Sequence, residues 1–323
     1  MVVHTDPLAH EVFDGGATGI VEDIIALSAR VSVAYFFIFA GYFFRRKIRE
    51  GAAPLPLFAG YGRRLLRIWL LWSAIYLAVV LIVPNYGNLG YFDAVLAKFG
   101  HVAANPLEWA LQGGKPHLWF LMSLTQSLGI AAVCAQLRSR HALLICGATF
   151  YVFGLLMGPY ATAPFGLAID FNSRNGPFMS TLLVALGWEM AQHEWRVSST
   201  TAVVLAVVGW AGYLGEMHLI PFLFGSLNIA DYGVFTPLYA MGLVLFAFSR
   251  PRLGARSMWA KMGARYVLGI YVCHYLFVEP MWPLHAYFRS YAWEFAFPLI
   301  VLGLATGLTA LLDSNRLTRY LVR

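Results

Sequence analysis

The stretch Ser32-Val33-Ala34-Tyr35-Phe36-Phe37-Ile38-Phe39-Ala40-Gly41-Tyr42-Phe43-Phe44 runs straight into Arg45-Arg46-Lys47-Ile48-Arg49. An uncharged apolar run that closes on a dense basic cluster is the pattern of a membrane helix ending on the cytoplasmic side. A second apolar run opens on Arg63-Arg64-Leu65-Leu66-Arg67. The chain thus sets a nest of arginines at one membrane surface, beneath two helices. Such a nest suits a large anion made in the cytosol.

Composition points the same way. Of 323 residues, 59% are hydrophobic and 12% charged, with a mean hydropathy of +0.65. A soluble domain carries about 25% charged residues, so this is the composition of a polytopic membrane protein. The net charge of +7 does not describe a nucleic-acid binder, because the cations sit in short loops between apolar runs, where they set topology. Cys134, Cys146 and Cys273 lie inside apolar runs without a CxxC partner. They therefore signal neither a metal site nor a disulfide framework. The opening Met1-Val2-Val3-His4-Thr5-Asp6 lacks the basic and long apolar regions of a cleavable signal peptide.

A helix needs about 17–25 apolar residues to cross the hydrocarbon. Reading for such runs predicts an all-α, polytopic membrane helix bundle forming one domain over 1–323. Its spans are Ile24–Phe44, Leu65–Val83, Leu118–Leu137, Ala142–Met157, Phe178–Ala191, Thr201–Met217, Val234–Phe248, Tyr266–Pro283 and Phe295–Leu312. Those are nine spans, with the first residues read as the remnant of a truncated first helix, ten in a complete chain. If the loop after Phe44 is cytoplasmic and sides alternate, eighteen Lys and Arg residues fall on the cytoplasmic side. Four fall outside, namely Lys98, Lys115, Arg174 and Arg289, while Arg30 lies at or within a span. The C-terminus is then cytoplasmic. The outer segments Pro84–His117 and Gly158–Pro177 carry turn residues and aromatics and read as structured caps.

Ionisable groups at membrane depth are candidates for function, because they cost several kcal/mol there unless paired or wetted. They are His4, Arg30, Arg64, Arg67, His117, Glu189, Glu216, His218 and His274. Arg64 and Arg67 share a helix face and could fork onto a phosphate. From charge alone, snorkelling positive-inside anchors explain them better. His4 is an acid or base of the neutral range or a structural histidine. His274, within Leu268-Gly269-Ile270-Tyr271-Val272-Cys273-His274, is either ligand-facing or an interhelical hydrogen-bond partner. His117 opens a helix beside Trp119 of the interfacial belt. Arg174-Asn175-Gly176-Pro177 is a turn entering a helix, a polar lid or a well-capped loop. Glu216 and His218 sit at an outer interface, where pairing with Arg30 or Arg174 would account for them. No P-loop, HExxH or GxSxG pattern is present.

Taken in order, these motifs resemble the acyltransferase-3 family of integral-membrane O-acyltransferases almost end to end. Val2-Val3-His4-Thr5 is similar to the end of the family's first helix, whose arginine would lie upstream of Met1. Ser28-Ala29-Arg30-Val31-Ser32-Val33 leading to Ala40-Gly41-Tyr42 resembles its second helix, with Ala40 where a serine is usual. Arg64-Leu65-Leu66-Arg67 matches its RxxR pair. His117-Leu118-Trp119-Phe120, Arg174-Asn175-Gly176, the His274 segment and Asp313-Ser314-Asn315-Arg316-Leu317 follow in family order.

The resemblance implies an enzyme of the inner membrane, with acetyl-CoA as co-substrate and no resident cofactor or metal. The acceptor would be a hydroxyl of a cell-surface glycan or its lipid-linked precursor. It implies His4 as general base and Arg64 with Arg67 as donor-binding residues. Arg30, His117, Arg174, Glu216 and His274 would form the acceptor or supporting site. The alternatives are a transporter of an organic anion, which often shows internal repeats with broken helices, and a scaffold without chemistry.

Overall fold

The computed structural model describes residue 5 and residues 16–79, 90–137, 139, 141–225, 231–288 and 290–323, with side chains left aside at 16–20 and 22. The described residues form twelve α-helices joined by turns and short 3-10 segments. Four helices are long and apolar enough to cross a membrane: Asp23–Arg49, Pro116–Gln136, Ser199–Phe224 and Tyr291–Ser314. A fifth span arises if Met258–Cys273 and Tyr275–Ala286, bent by 49°, count as one. Ala142–Met157 and Thr236–Ser249 are apolar but shorter. The molecule is an all-α, multi-pass membrane protein.

Each of the nine expected apolar runs overlaps a helix, with residues 80–83 of the run at Leu65–Val83 outside the described residues, and two are built differently from the expectation. The run placed at Leu65–Val83 belongs to a helix over Pro54–Ala78. Pro54 sits at its start, where proline costs no hydrogen bond, and Arg63 and Arg64, which precede the expected run, lie inside the helix with Arg67. The run placed at Tyr266–Pro283 is not continuous: it breaks at His274.

Among the described residues the chain divides into two compact units. The first takes those of Met1–Ala29, Arg67–Leu118 and Gly254–Arg323, and the second those of Arg30–Leu66 and Trp119–Leu253. We number the helices that matter below α1 (Gly16–Arg49), α2 (Pro54–Ala78), α3 (Trp119–Gln136), α4 (Pro177–His193), α5 (Ser199–Phe224), α6 (Thr236–Ser249), α7 (Met258–Cys273), α8 (Tyr275–Met281) and α9 (Tyr291–Ser314).

In the second unit, α1 meets α4 at backbone contact. The Val184 carbonyl stands where a Cβ on Gly41 would be, and the Ile38 carbonyl where one on Gly187 would be. Two helices without a hydrophobic drive between them associate by such close approach, so Gly41 of the Ala40-Gly41-Tyr42 motif is a packing residue. In the first unit, α7 lies on α9. Thr309 of α9 fills the space over Gly269, and the Cys273 Sγ lies 3.5 Å from the Ala305 carbonyl. Serine caps start three of the helices: Ser198, Ser257 and Ser290 accept from the backbone N–H of Thr201, Ala260 and Trp293. Each such cap contributes about 1 kcal/mol.

Candidate functional site

Two clusters of buried or part-buried polar groups stand out, one in each unit.

In the first unit, His117 lies in a 3-10 turn ahead of α3 and is 2% exposed. Its ring stacks on Tyr275, with centroids 4.5 Å apart and planes 8° from parallel. Tyr76, Tyr271 and His274 present edges to it at 5.4, 5.5 and 5.0 Å. The Tyr271 hydroxyl donates to the His117 carbonyl. The Tyr76 hydroxyl donates to the Val272 carbonyl at 2.7 Å. Two of the four histidines expected at membrane depth, His117 and His274, therefore form one aromatic nest.

His274, 3% exposed, occupies the break between α7 and α8. Its Nδ1 lies 2.7 Å from the Tyr271 carbonyl oxygen. A carbonyl can only accept, so Nδ1 carries the hydrogen. In the neutral ring the lone pair is then on Nε2, the nitrogen able to take a proton. Beside this nest Lys115 pairs with Glu279, and the Lys98 ammonium donates to the Tyr76 and Val79 carbonyls at 2.9 and 2.8 Å. Lys98 thus closes the C-terminal end of α2, where a cation suits the helix dipole.

In the second unit, Arg30 of α1 and Arg174 share the carboxylate of Asp231. Arg30 pairs with one oxygen, and the Arg174 Nη1 lies 2.8 Å from the other. The Arg174 guanidinium also faces the Trp119 ring at 5.8 Å. Its loop is set by Gly176, whose φ of +86° favours glycine, and by Pro177 opening α4. Next to it, Asn175 is buried with its Oδ1 unpartnered.

Glu216 was expected to pair with Arg30 or Arg174; the arginines turn to Asp231 instead. Glu216 accepts from the Tyr160 hydroxyl at 2.7 Å and from the Val234 and Phe235 N–H groups at 2.7 and 3.2 Å. It holds the turn that leads into α6. Of the remaining candidates, Glu189 pairs with His193 one helical turn away, and His218 is exposed.

Arg64 and Arg67 lie on α2 and are exposed. The Arg67 Nη2 donates to the main-chain oxygen of Arg323 at 2.8 Å. His4 lies outside the described residues.

Asp231 is the residue that sequence reasoning missed. Its partners are 201 and 57 positions away in the sequence. A candidate arginine at membrane depth without a nearby acid was the one signal that an unidentified carboxylate had to exist.

The sequence profile of the acyltransferase domain family Acyl_transf_3 matches residues 1–312. No curated protein and no solved structure matches the chain. The profile spans the histidine nest and the Arg30–Asp231–Arg174 network alike, and it decides for a transferase over the transporter and scaffold alternatives. The chain is an enzyme, a multi-pass membrane acyltransferase, and it belongs to the acyltransferase 3 family.

Proposed function

We propose that this acyltransferase is an O-acetyltransferase of the inner membrane. It moves an acetyl group from acetyl-CoA to a hydroxyl of a cell-surface glycan or its lipid-linked precursor. In motif order it resembles the enterobacterial common antigen O-acetyltransferase and its relatives. What carries the reading is that the matched positions gather ionisable groups, buried in the histidine nest and about a quarter exposed in the arginine network. His117 and His274 share one nest, and Arg30 and Arg174 share one carboxylate. Groups at that depth are retained for function.

In the proposed reaction His4 takes the proton of the attacking hydroxyl. The oxygen bonds to the thioester carbonyl carbon, the C–S bond breaks, and the sulfur leaves to be protonated as the thiol. Arg64 and Arg67 hold the donor's phosphates by charge-assisted forks. His117, His274, Arg30, Arg174 and Glu216 support the acceptor side. All nine apolar runs cross the bilayer, with the C-terminus in the cytosol, as the partition of Lys and Arg suggests.

The test is thiol release from acetyl-CoA, with mass spectrometry of an added glycan acceptor, in membranes carrying the chain. Wild type is expected to release thiol and acetylate the glycan. His4→Ala is expected to lose about 10²–10⁴-fold in rate. If it keeps half its activity, the role of base passes to His274 and then to His117. Full activity in all three single variants would sink the proposed chemistry.

A further inference from the structure

The first unit contains a second charged assembly, at the C-terminal end of α9. Asp313 is 2% exposed as a side chain, yet three arginines converge on it. Arg323 donates from Nη2 to Oδ2 at 2.8 Å, and its Nε lies within ion-pair distance of Oδ1 at 2.6 Å. Arg265 of α7 brings Nε and Nη2 to Oδ2 at 3.1 and 3.0 Å. The Arg319 Nε donates to the Asp313 main-chain oxygen at 3.0 Å and lies 3.6 Å from Oδ1. Arg67 joins through the main-chain oxygen of Arg323.

One buried carboxylate thus gathers three guanidinium groups, with Arg67 beside them on the Arg323 main chain, which leaves a positive excess. A single arginine would neutralise the acid. Drawing in three costs mutual repulsion. The arms remain reachable: Arg265, Arg319 and Arg323 are 58%, 46% and 46% exposed. Their bonds to Asp313 use only part of the five N–H donors that each guanidinium carries. The segment that bears Arg319 and Arg323 is anchored. The Trp72 Nε1 donates to the Leu321 carbonyl at 2.8 Å, and buried Val322 sits over Gly269. The forks are therefore held in place before any ligand arrives.

We propose that Arg67, Arg265, Arg319 and Arg323, set by Asp313, form a binding site for a diphosphate group. Two linked phosphates offer several acceptor oxygens to forked donors and supply the missing negative charge. The diphosphate has two sources, a water-soluble donor or an anionic lipid headgroup. Only the first rests on the function proposed above.

The test is calorimetric titration of inorganic pyrophosphate into the full chain in nanodiscs of neutral lipid. Binding is expected, weakening as salt is raised. Arg265→Ala and Arg319→Ala are each expected to weaken it about tenfold or more. Asp313→Asn separates an organised site from a loose patch. It raises the local positive charge, so a patch would bind pyrophosphate more tightly, whereas the organised site binds it more weakly. Should Asp313→Asn fail to fold, the two half-exposed arginine variants still decide. Repeating the titration with a polyprenyl diphosphate in the nanodisc separates the sources, since loss of pyrophosphate binding there assigns the site to a lipid-borne diphosphate. Absence of pyrophosphate binding, or affinity that both arginine variants leave unchanged, overturns the proposal. Loss of pyrophosphate binding with an unaltered KM for acetyl-CoA keeps the site and detaches it from the donor.

Discussion

The imidazole of His117 lies flat against the phenol ring of Tyr275, 8° from parallel and 4.5 Å away. Tyr275 is the first residue of α8, next to the helix break at His274. The stack therefore ties the turn ahead of α3 to the bend, and it sets the plane in which each histidine can act. Tyr275→Leu removes the flat partner and is expected to cost about 1–3 kcal/mol of stability, read as a lowered Tm in detergent. His274→Ala is expected to lower kcat by at least about 10²-fold with normal membrane insertion. A His274→Ala variant at wild-type kcat would make the nest purely structural.

Asp231 is the shared acid of Arg30 and Arg174, so its loss strands both guanidinium groups. Each of these side chains is about a quarter exposed, which tempers the cost. Asp231→Asn is expected to cost about 2–3 kcal/mol. Arg30→Met leaves Asp231 with Arg174 and is expected to cost less. Thermal unfolding of the two variants side by side gives the order, and the reverse order would contradict the network.

Arg67 tests the donor face of α2. Arg67→Ala is expected to raise the KM for acetyl-CoA about ten- to a hundredfold, the value of a lost charged hydrogen bond. Arg67→Lys is expected to rescue poorly, because an ammonium cannot reproduce a fork. An inserted Arg64→Ala, Arg67→Ala double variant with unchanged KM would leave the pair as topology anchors.

Tyr160 donates to the Glu216 carboxylate. Burial first, and then that bond, push its phenol well above the ordinary tyrosine range. The folded chain holds this proton more tightly than the unfolded chain does. The contribution is therefore complete below the unfolded value of about 10 and is lost as pH rises through the folded one. Tyr160→Phe is expected to lower stability at neutral pH by about 1–3 kcal/mol and to flatten the alkaline loss. Parallel pH–stability curves for the two proteins would contradict this.

The proposed orientation is checked by single cysteines in a background without Cys134, Cys146 and Cys273. A cysteine at Asn105 is expected to react with an impermeant reagent added from outside. One at Arg323 or at Glu50, between α1 and α2, is expected to react only after permeabilisation. Outside labelling of Arg323 would invert the scheme.

The sequence by itself determined the membrane character and the helical class. Long apolar runs in lipid must satisfy their backbone hydrogen bonds internally, and a helix does so within one segment. It also placed the motif residues in order, because His117, Arg174 and His274 each sit in a short local pattern of glycine, proline and aromatics. Tertiary structure alone decided who meets whom. Arg30 and Asp231 are 201 positions apart, and Arg67 and Arg323 are 256 apart, so no local pattern links them. The break at His274 was hidden for a related reason. Composition is apolar on both sides of it, and the bend depends on the tyrosines and His117 gathered around it. Asp313 entered the sequence reading only as part of a tail motif, and folding brings three arginines to it. A buried charge takes its meaning from its partners, and these come from segments that only the folded chain brings together.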